Sequence, residues 1–290
     1  MMVIDFRIRP PYKSFMSMGI AGAGLPKLDF KNDAFPAWHG RKRVASSMPD
    51  GSMDKFMLEM DVAGIEVGVL MGRRTGHPVN GDVDNKDIQE LIKKYPGRFV
   101  GFGGINPHEK DAVDRVKECA DLGFKGIGID AGWCNPEVYV DDPKLMPVYE
   151  QAAKLGLISS ITMSAFLGSN INFSDPTRLQ KVAQAFPEMP IVVPHGCWPY
   201  VTQAFGVALM CNNVHLMPDT YLYVPNFPNR NDWVDAANSG FLRHKLIFCS
   251  SYPIRDLSEC VENWRSLPFE RAPLYDSLYY NAARLLKLTD

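Results

Sequence analysis

Two arginines close the first apolar run of the chain, "MVIDFRIRPP", and two prolines follow them. Side chains alternate across a strand, so Arg7 and Arg9 are expected on one face, with Ile4, Phe6 and Ile8 on the other. A guanidinium stays charged at every relevant pH and presents a planar fork of donors that suits carboxylate or phosphate oxygens. The pair is therefore a candidate clamp for a small anion. The competing reading pairs them with internal carboxylates such as Asp5 or Asp130, and one arginine can do each. His195 ends the run "PIVVPH" ahead of Gly196. Close to two arginines its protonated form is disfavoured, which suits a general base. A hydrogen-bonded structural histidine is the alternative.

Further polar residues follow other apolar runs. Arg73, in "LMGRRTGHP" with Arg74 and His77, is a candidate anion contact, although such charges commonly end in a solvated loop. Arg255 follows "SSYP" in the same manner. Asp130, at the end of "GIGID", reads as a base or, better, an arginine partner. Ser250 and Ser251 do not form a Gly-x-Ser-x-Gly elbow, but a strand-end hydroxyl can donate to a ligand. Cys197 and Cys249 become nucleophiles only if an arginine favours the thiolate; buried, inert cysteine is the commoner state. Trp133 and Trp198 are candidate walls for a planar ligand, or packing residues. His39, in "AFPAWHGRKR", is a weak candidate to reach the site from above.

The elements that must carry these residues are legible as alternation. Short apolar, β-branched runs fall at 2–9, 65–72, 98–105, 124–131, 157–164, 190–195, 220–225 and 245–251, and helix-length segments lie between them. Several runs are apolar on both faces, as in a parallel sheet covered by helices. Ser52 and Gly64 bracket one helix, and Gly123 and Gly156 end two others. Ser174 or Asp175 caps a fourth. Eight strands in this order predict a (β/α)8 TIM barrel as a single domain over 1–290, with active groups at the C-terminal strand ends. An open doubly wound sheet is the alternative, but no glycine-rich phosphate fingerprint follows the first strand. The Gly-, Pro- and basic-rich stretch 10–51 reads as an elaborated first βα loop.

A net charge of −2 argues against nucleic-acid partners, and no apolar run is long enough to span a bilayer. The strand-like start leaves no room for a signal peptide. Six scattered cysteines without a Cys-x-x-Cys pair fit reduced thiols in a cytoplasmic protein. A homo-oligomer is the base-rate expectation.

"IDFRIRP", "SMDKFMLEMDVAGIEVGVLMG", "RFVGFGGINP", "LMPVYEQAAKLGL", "VVPHG", "IFCSSYP" and "YYNAARLLKL" occur in that order. Together they resemble the amidohydrolase-related family of the metal-dependent hydrolase superfamily. Its members include metal-dependent decarboxylases, hydratases and hydrolases of small carboxylated or cyclic substrates. The resemblance implies a TIM barrel and a site at its mouth. It places Arg7 and Arg9 where the family carries the His-x-His metal ligands, Thr162 where a fifth-strand His is usual, and Ser251 where an eighth-strand Asp is usual. His195 matches the sixth-strand His. Arginine has no lone pair to give, and one histidine with two hydroxyls is a poor Zn²⁺ site. The expectation is therefore a protein with no metal and no other cofactor. The favoured activity is a metal-independent hydrolase of a lactone or related ring on a small carboxylated substrate. In it His195 is the catalytic base, and Arg7, Arg9, Thr162, Ser251 and Arg73 bind substrate. The alternatives are a non-catalytic barrel that binds an anionic metabolite, a decarboxylase or hydratase of the same family, or a metal held by another set such as His195, Asp130 and a cysteine.

Overall fold

The computed structural model describes residues 2–24 and 40–288. Seven parallel strands follow one another in chain order: β1 (Val3–Ile8), β2 (Ile65–Met71), β3 (Phe99–Gly104), β4 (Gly126–Ile129), β5 (Ile158–Ile161), β6 (Ile191–Pro194) and β7 (Val214–Met217). An eighth extended segment closes the ring. Leu216 N donates to Lys245 O and Ile247 N to Leu216 O, and Phe6 N of β1 donates to Phe248 O. It forms no longer ladder because Phe248 N is taken by Ser277 O, at 2.8 Å, from the helical turn beneath it. The architecture is a TIM barrel.

The helices form where the caps demand. Ser52 Oγ accepts from Lys55 N to start Met53–Ala63, and Gly64 ends that helix in the left-handed region at φ 73°. Asp175, and not Ser174, caps Pro176–Ala185 by accepting from Thr177 N. Gly123 and Gly156 follow Ala112–Asp121 and Met146–Lys154 with positive φ. Inside the strands, Ile4, Phe6, Val67, Val69, Met71, Phe102, Ile158, Val192, Met217, Ile247 and Cys249 fill the barrel. A second, larger apolar shell lies between strands and helices.

Two expectations are corrected. The run 220–225 is not the seventh strand. Residues Thr220–Tyr223 form one helical turn that Asp219 caps, and the strand lies upstream at Val214–Met217. The β-rich composition of "TYLYV" yields to the Pro218–Asp219 break and its cap, a local choice overridden by capping chemistry. The simple alternation along β1 also fails. Ile4 and Phe6 face the barrel interior, but Ile8 packs outward with Val3. The cause is a bulge: Asp5 and Ile8 pair with Gly68 and Leu70, so β1 holds one extra residue over that step. Phe6 and Arg7 therefore both serve the interior, and Arg9 follows Arg7 there. Ile8 is accommodated because residue 68 is glycine; a Cβ there would lie 2.1 Å from Ile8 Cδ1.

Residues 40–51 are tethered to the barrel. Glu59 accepts from Ser46 Oγ, Ser47 N, Ser47 Oγ and Tyr252 Oη, while Glu259 accepts from Lys42 N and Arg43 N. His39 lies outside the described residues. At the rim, a Cβ on Gly104 would come within 2.3 Å of the Arg73 carbonyl carbon. We therefore expect Gly104→Ala to displace the backbone that carries Arg73 and to lower stability by about 1–3 kcal/mol in a urea titration.

Candidate active site at the barrel mouth

The C-terminal strand ends bring together Arg7, Arg9, Arg73, Asp130, Thr162, His195, Asp219 and Ser251, every one of them buried. Arg73 follows β2, Asp130 follows β4, Thr162 follows β5, His195 follows β6 and Asp219 follows β7 by two residues. A hydrogen-bonded chain runs through the centre. Arg7 Nη1 lies 2.8 Å from His195 Nε2 and 3.2 Å from Ser251 Oγ. His195 Nδ1 lies 2.9 Å from Asp219 Oδ1, and Ser251 Oγ donates to Asp219 Oδ2 at 2.9 Å. A guanidinium can only donate, so Nε2 offers its lone pair and the imidazole proton sits on Nδ1, facing Asp219. The ring is neutral.

A second arm is ionic. Arg73 Nε donates to Asp130 Oδ2 at 2.9 Å, and Arg7 Nη2 stands 4.0 Å from Asp130 Oδ1. The guanidinium of Arg73 also lies on the Trp133 ring, 4.3 Å from its centroid. Arg9 is different. It is 1% exposed, and its Nε, Nη1 and Nη2 have no hydrogen-bond partner among the described residues. Asp5 takes Arg7 N and Ser250 N on Oδ1 and leaves Oδ2 without a partner.

Protonation follows from burial and neighbours. Burial lowers the His195 pKa and Asp219 raises it, with Arg7 and then Arg9 lowering it further; the net direction is down. Burial alone would raise Asp130, but Arg73, Arg7 and Arg9, with a hydrogen bond from Thr162, hold it well below the usual carboxylate range. Asp219 is likewise pulled down against burial, chiefly by His195 and Arg7. Asp5 is pushed up to about 7 by burial, which outweighs its bonds from Ser250 and Arg7. Arg9 is driven down by burial and by the adjacent charges of Arg7 and Arg73.

The other candidates fall elsewhere. Arg255 Nη1 donates to Glu259 at 2.5 Å and so braces the contact with the returning first loop. Arg74 binds Glu109. Cys197 packs against Met163, and Cys249 belongs to the interior; burial pushes both thiols up, away from the nucleophilic thiolate. Trp198 stacks on Tyr221 at 5.0 Å. Trp133, by contrast, lines a cavity of about 240 Å³ with His77, Asn80, Asn135, Glu137 and Phe166. Asp219 is the member of the cluster that sequence reasoning missed. With the seventh strand set at 220–225, this carboxylate precedes the strand and falls at the wrong end of the barrel. The signal was the short run "VHLM" followed by Pro-Asp. His195, Asp219 and Ser251 all adopt positive φ (67°, 42° and 53°), a backbone cost of about 1–3 kcal/mol each that meets in one cluster.

The family model described as amidohydrolase matches residues 4–288, and the chain belongs to that family. Among solved structures it is similar to an uncharacterized TIM-barrel protein of Bordetella bronchiseptica, with 32% identity, TM-score 0.89 and 99% of both chains covered. It also resembles a Rhizobium 2,6-dihydroxybenzoate decarboxylase, with 17% identity, TM-score 0.67 and 99% of both chains covered. A probable 2-pyrone-4,6-dicarboxylic acid hydrolase of Acinetobacter baumannii with citric acid bound has 12% identity and TM-score 0.66, covering 99% of this chain and 100% of that one. Among curated proteins, a Dictyostelium discoideum 2-amino-3-carboxymuconate-6-semialdehyde decarboxylase is 30% identical over 74 residues, which are 25% of this chain and 20% of that protein.

The family's usual metal does not fit the donors of this site. Arg7 and Arg9 cannot ligate, His195 Nε2 faces Arg7, and among the described residues no group of three or more His, Cys, Asp or Glu is placed to hold an ion. Purified protein is expected to carry far less than one transition metal per chain by elemental analysis; one tightly held Zn²⁺ would overturn this reading of the donors. A second expectation concerns pH. Because Asp5 titrates higher when folded than unfolded, its contribution to stability is full below about pH 4 and is lost as pH rises towards 7. Asp5→Asn should therefore gain on the wild type across that window, by up to ~1.4 kcal/mol per pH unit, in thermal melts at stepped pH.

Proposed function

We propose that the protein is a metal-independent hydrolase of the amidohydrolase family, opening a lactone or related ring on a small carboxylated substrate. The observation that carries this reading is Arg9, a buried guanidinium whose three nitrogens have no partner among the described residues. An ion held out of water without a counter-charge costs several kcal/mol, and a carboxylate satisfies the fork bidentately. Arg9 receives the substrate carboxylate, with the Arg73 Nη2 donor, which also has no partner, as a second contact.

The neighbouring pair performs the chemistry. His195, with its proton on Nδ1 and held by Asp219, accepts a proton from water as the water oxygen attacks the ring carbonyl. The new C–O bond forms, the ring C–O bond breaks, and the proton on Nε2 passes to the departing oxygen. One water is consumed and a hydroxy acid results. Arg7, whose guanidinium stands beside His195 Nε2, is the donor offered to the developing oxyanion. Trp133 offers a wall for the ring. The pyrone hydrolase among the structural relatives supports ring opening, and its bound citric acid supports carboxylate recognition in this barrel. The decarboxylases among the relatives favour a second reading, loss of CO₂ from an aromatic or unsaturated acid.

Thermal-shift and calorimetric titration with malonate and citrate tests the anion site, and both should stabilise the native state. Arg9→Met should remove the effect; an undiminished response would place the anion elsewhere. With carboxylated lactones as substrates, Asp219→Asn should lower kcat by about 10²- to 10⁴-fold. The acid limb of kcat/KM should lie below the ordinary histidine range, because burial and Arg7 favour the neutral ring. Release of CO₂ in place of a hydroxy acid would select the second reading.

A further inference from the structure

In the arrangement described, the only lone pair on His195 is already in use. Arg7 Nη1 sits on it at 2.8 Å, and the opposite nitrogen is committed to Asp219. A base so capped cannot take a proton from water. The same guanidinium has other acceptors within a short reach. Arg7 reaches Ser251 Oγ at 3.2 Å, Asp219 Oδ2 at 3.6 Å and Asp130 Oδ1 at 4.0 Å, and its Nε has no partner. None of these contacts other than His195 and Ser251 is at hydrogen-bond distance.

We infer that Arg7 caps His195 in the free protein, and that an anionic ligand seated on Arg9 draws the Arg7 guanidinium off Nε2 and so releases the base. This rests on the reading of Arg9 as the carboxylate receptor and adds a specificity rule to it. A ligand without the anionic group leaves the base blocked, so the carboxylate is needed for turnover as well as for binding. Neutral analogues should then suffer in kcat and not only in KM.

The groups that face the imidazole are few. Arg7 and Arg9 come from the end of β1. Asp219 and the Tyr221 ring, whose centroid is 5.7 Å from that of His195, come from the segment after β7. Burial pushes the Tyr221 hydroxyl up, so it stays neutral, and it is engaged with Ser164 Oγ at 2.8 Å. Charge at Nε2 is therefore set by burial, by Asp219 and by the two arginines, and of these only the arginines are open to neutralisation by an anion.

The test is a nitrogen-detected NMR titration of the full-length protein with ¹⁵N-labelled imidazoles, with His195 assigned from its loss in His195→Gln. In the free wild type the proton should be on Nδ1 with Nε2 unprotonated at neutral pH. A proton on Nε2, or an imidazolium, overturns the cap without any variant. Arg7→Met should raise the His195 midpoint by about one pH unit, since a like charge beside it is removed; an unmoved midpoint overturns the proposal.

Malonate is the anion probe. Added to wild type, it should shift the Nε2 resonance and raise the midpoint. Added to Arg7→Met, which keeps Arg9, it should bind and raise the midpoint much less. Malonate that binds by calorimetry but leaves His195 unmoved, or moves it equally in both proteins, defeats the coupling while the anion site stands. Absence of malonate and citrate binding, with the Arg7→Met shift present, defeats the anion site and the release built on it, and leaves the cap alone.

Discussion

Guanidinium groups kept out of water govern the mouth of this barrel. Three of them converge where two low-pKa carboxylates, Asp130 and Asp219, are available, and a third carboxylate, Asp5, is raised to about 7 by its own burial. Arg73 takes Asp130, and Arg7 is shared along the line His195, Ser251 and Asp219. That division leaves Arg9 as the residue whose charge has no hydrogen-bonded answer within the described chain. The tautomer of His195 and the depression of Asp130 follow from where those charges sit, whereas Asp5 is raised by its own burial.

The barrel was legible because its signals are long and redundant. Ser52, Asp175, Gly64, Gly123 and Gly156 each mark a helix end by side-chain or backbone chemistry that neighbours cannot easily override. Where the signal was a four-residue strand, "VHLM", the reading slid onto the more β-like "TYLYV", which the fold uses as a capped helical turn. That displacement hid Asp219, since a carboxylate is recognised as part of a site only when it falls at the right end of a strand. Arg7, Arg9, Arg73, Thr162, His195 and Ser251 meet at the C-terminal mouth, near the runs that carry them. Their partners were not readable, because hydrogen bonds spanning 188 or 244 residues leave no local trace.

Family membership fixes the fold of this chain but not the chemistry at its mouth. The amidohydrolase model extends from residue 4 to 288, and the side chains that meet at the mouth include three guanidinium groups. A fold constrains where a site lies and says little about which reaction it runs. Here the mouth of the barrel is lined by guanidinium donors that bind a histidine and two carboxylates. Three non-glycine residues with positive φ, His195, Asp219 and Ser251, aim their side chains into one cluster.

The extra residue between Asp5 and Ile8 makes the first strand sensitive to length in a way that its composition conceals. It offsets an opposite shift between Val3 and Ile4, so deleting one amino acid there would leave β1 a residue short against β2 and displace the guanidiniums that follow. Loss of a single codon there is a graver lesion than most replacements. Lineages that share this barrel should accordingly vary the letters of the segment more freely than their number.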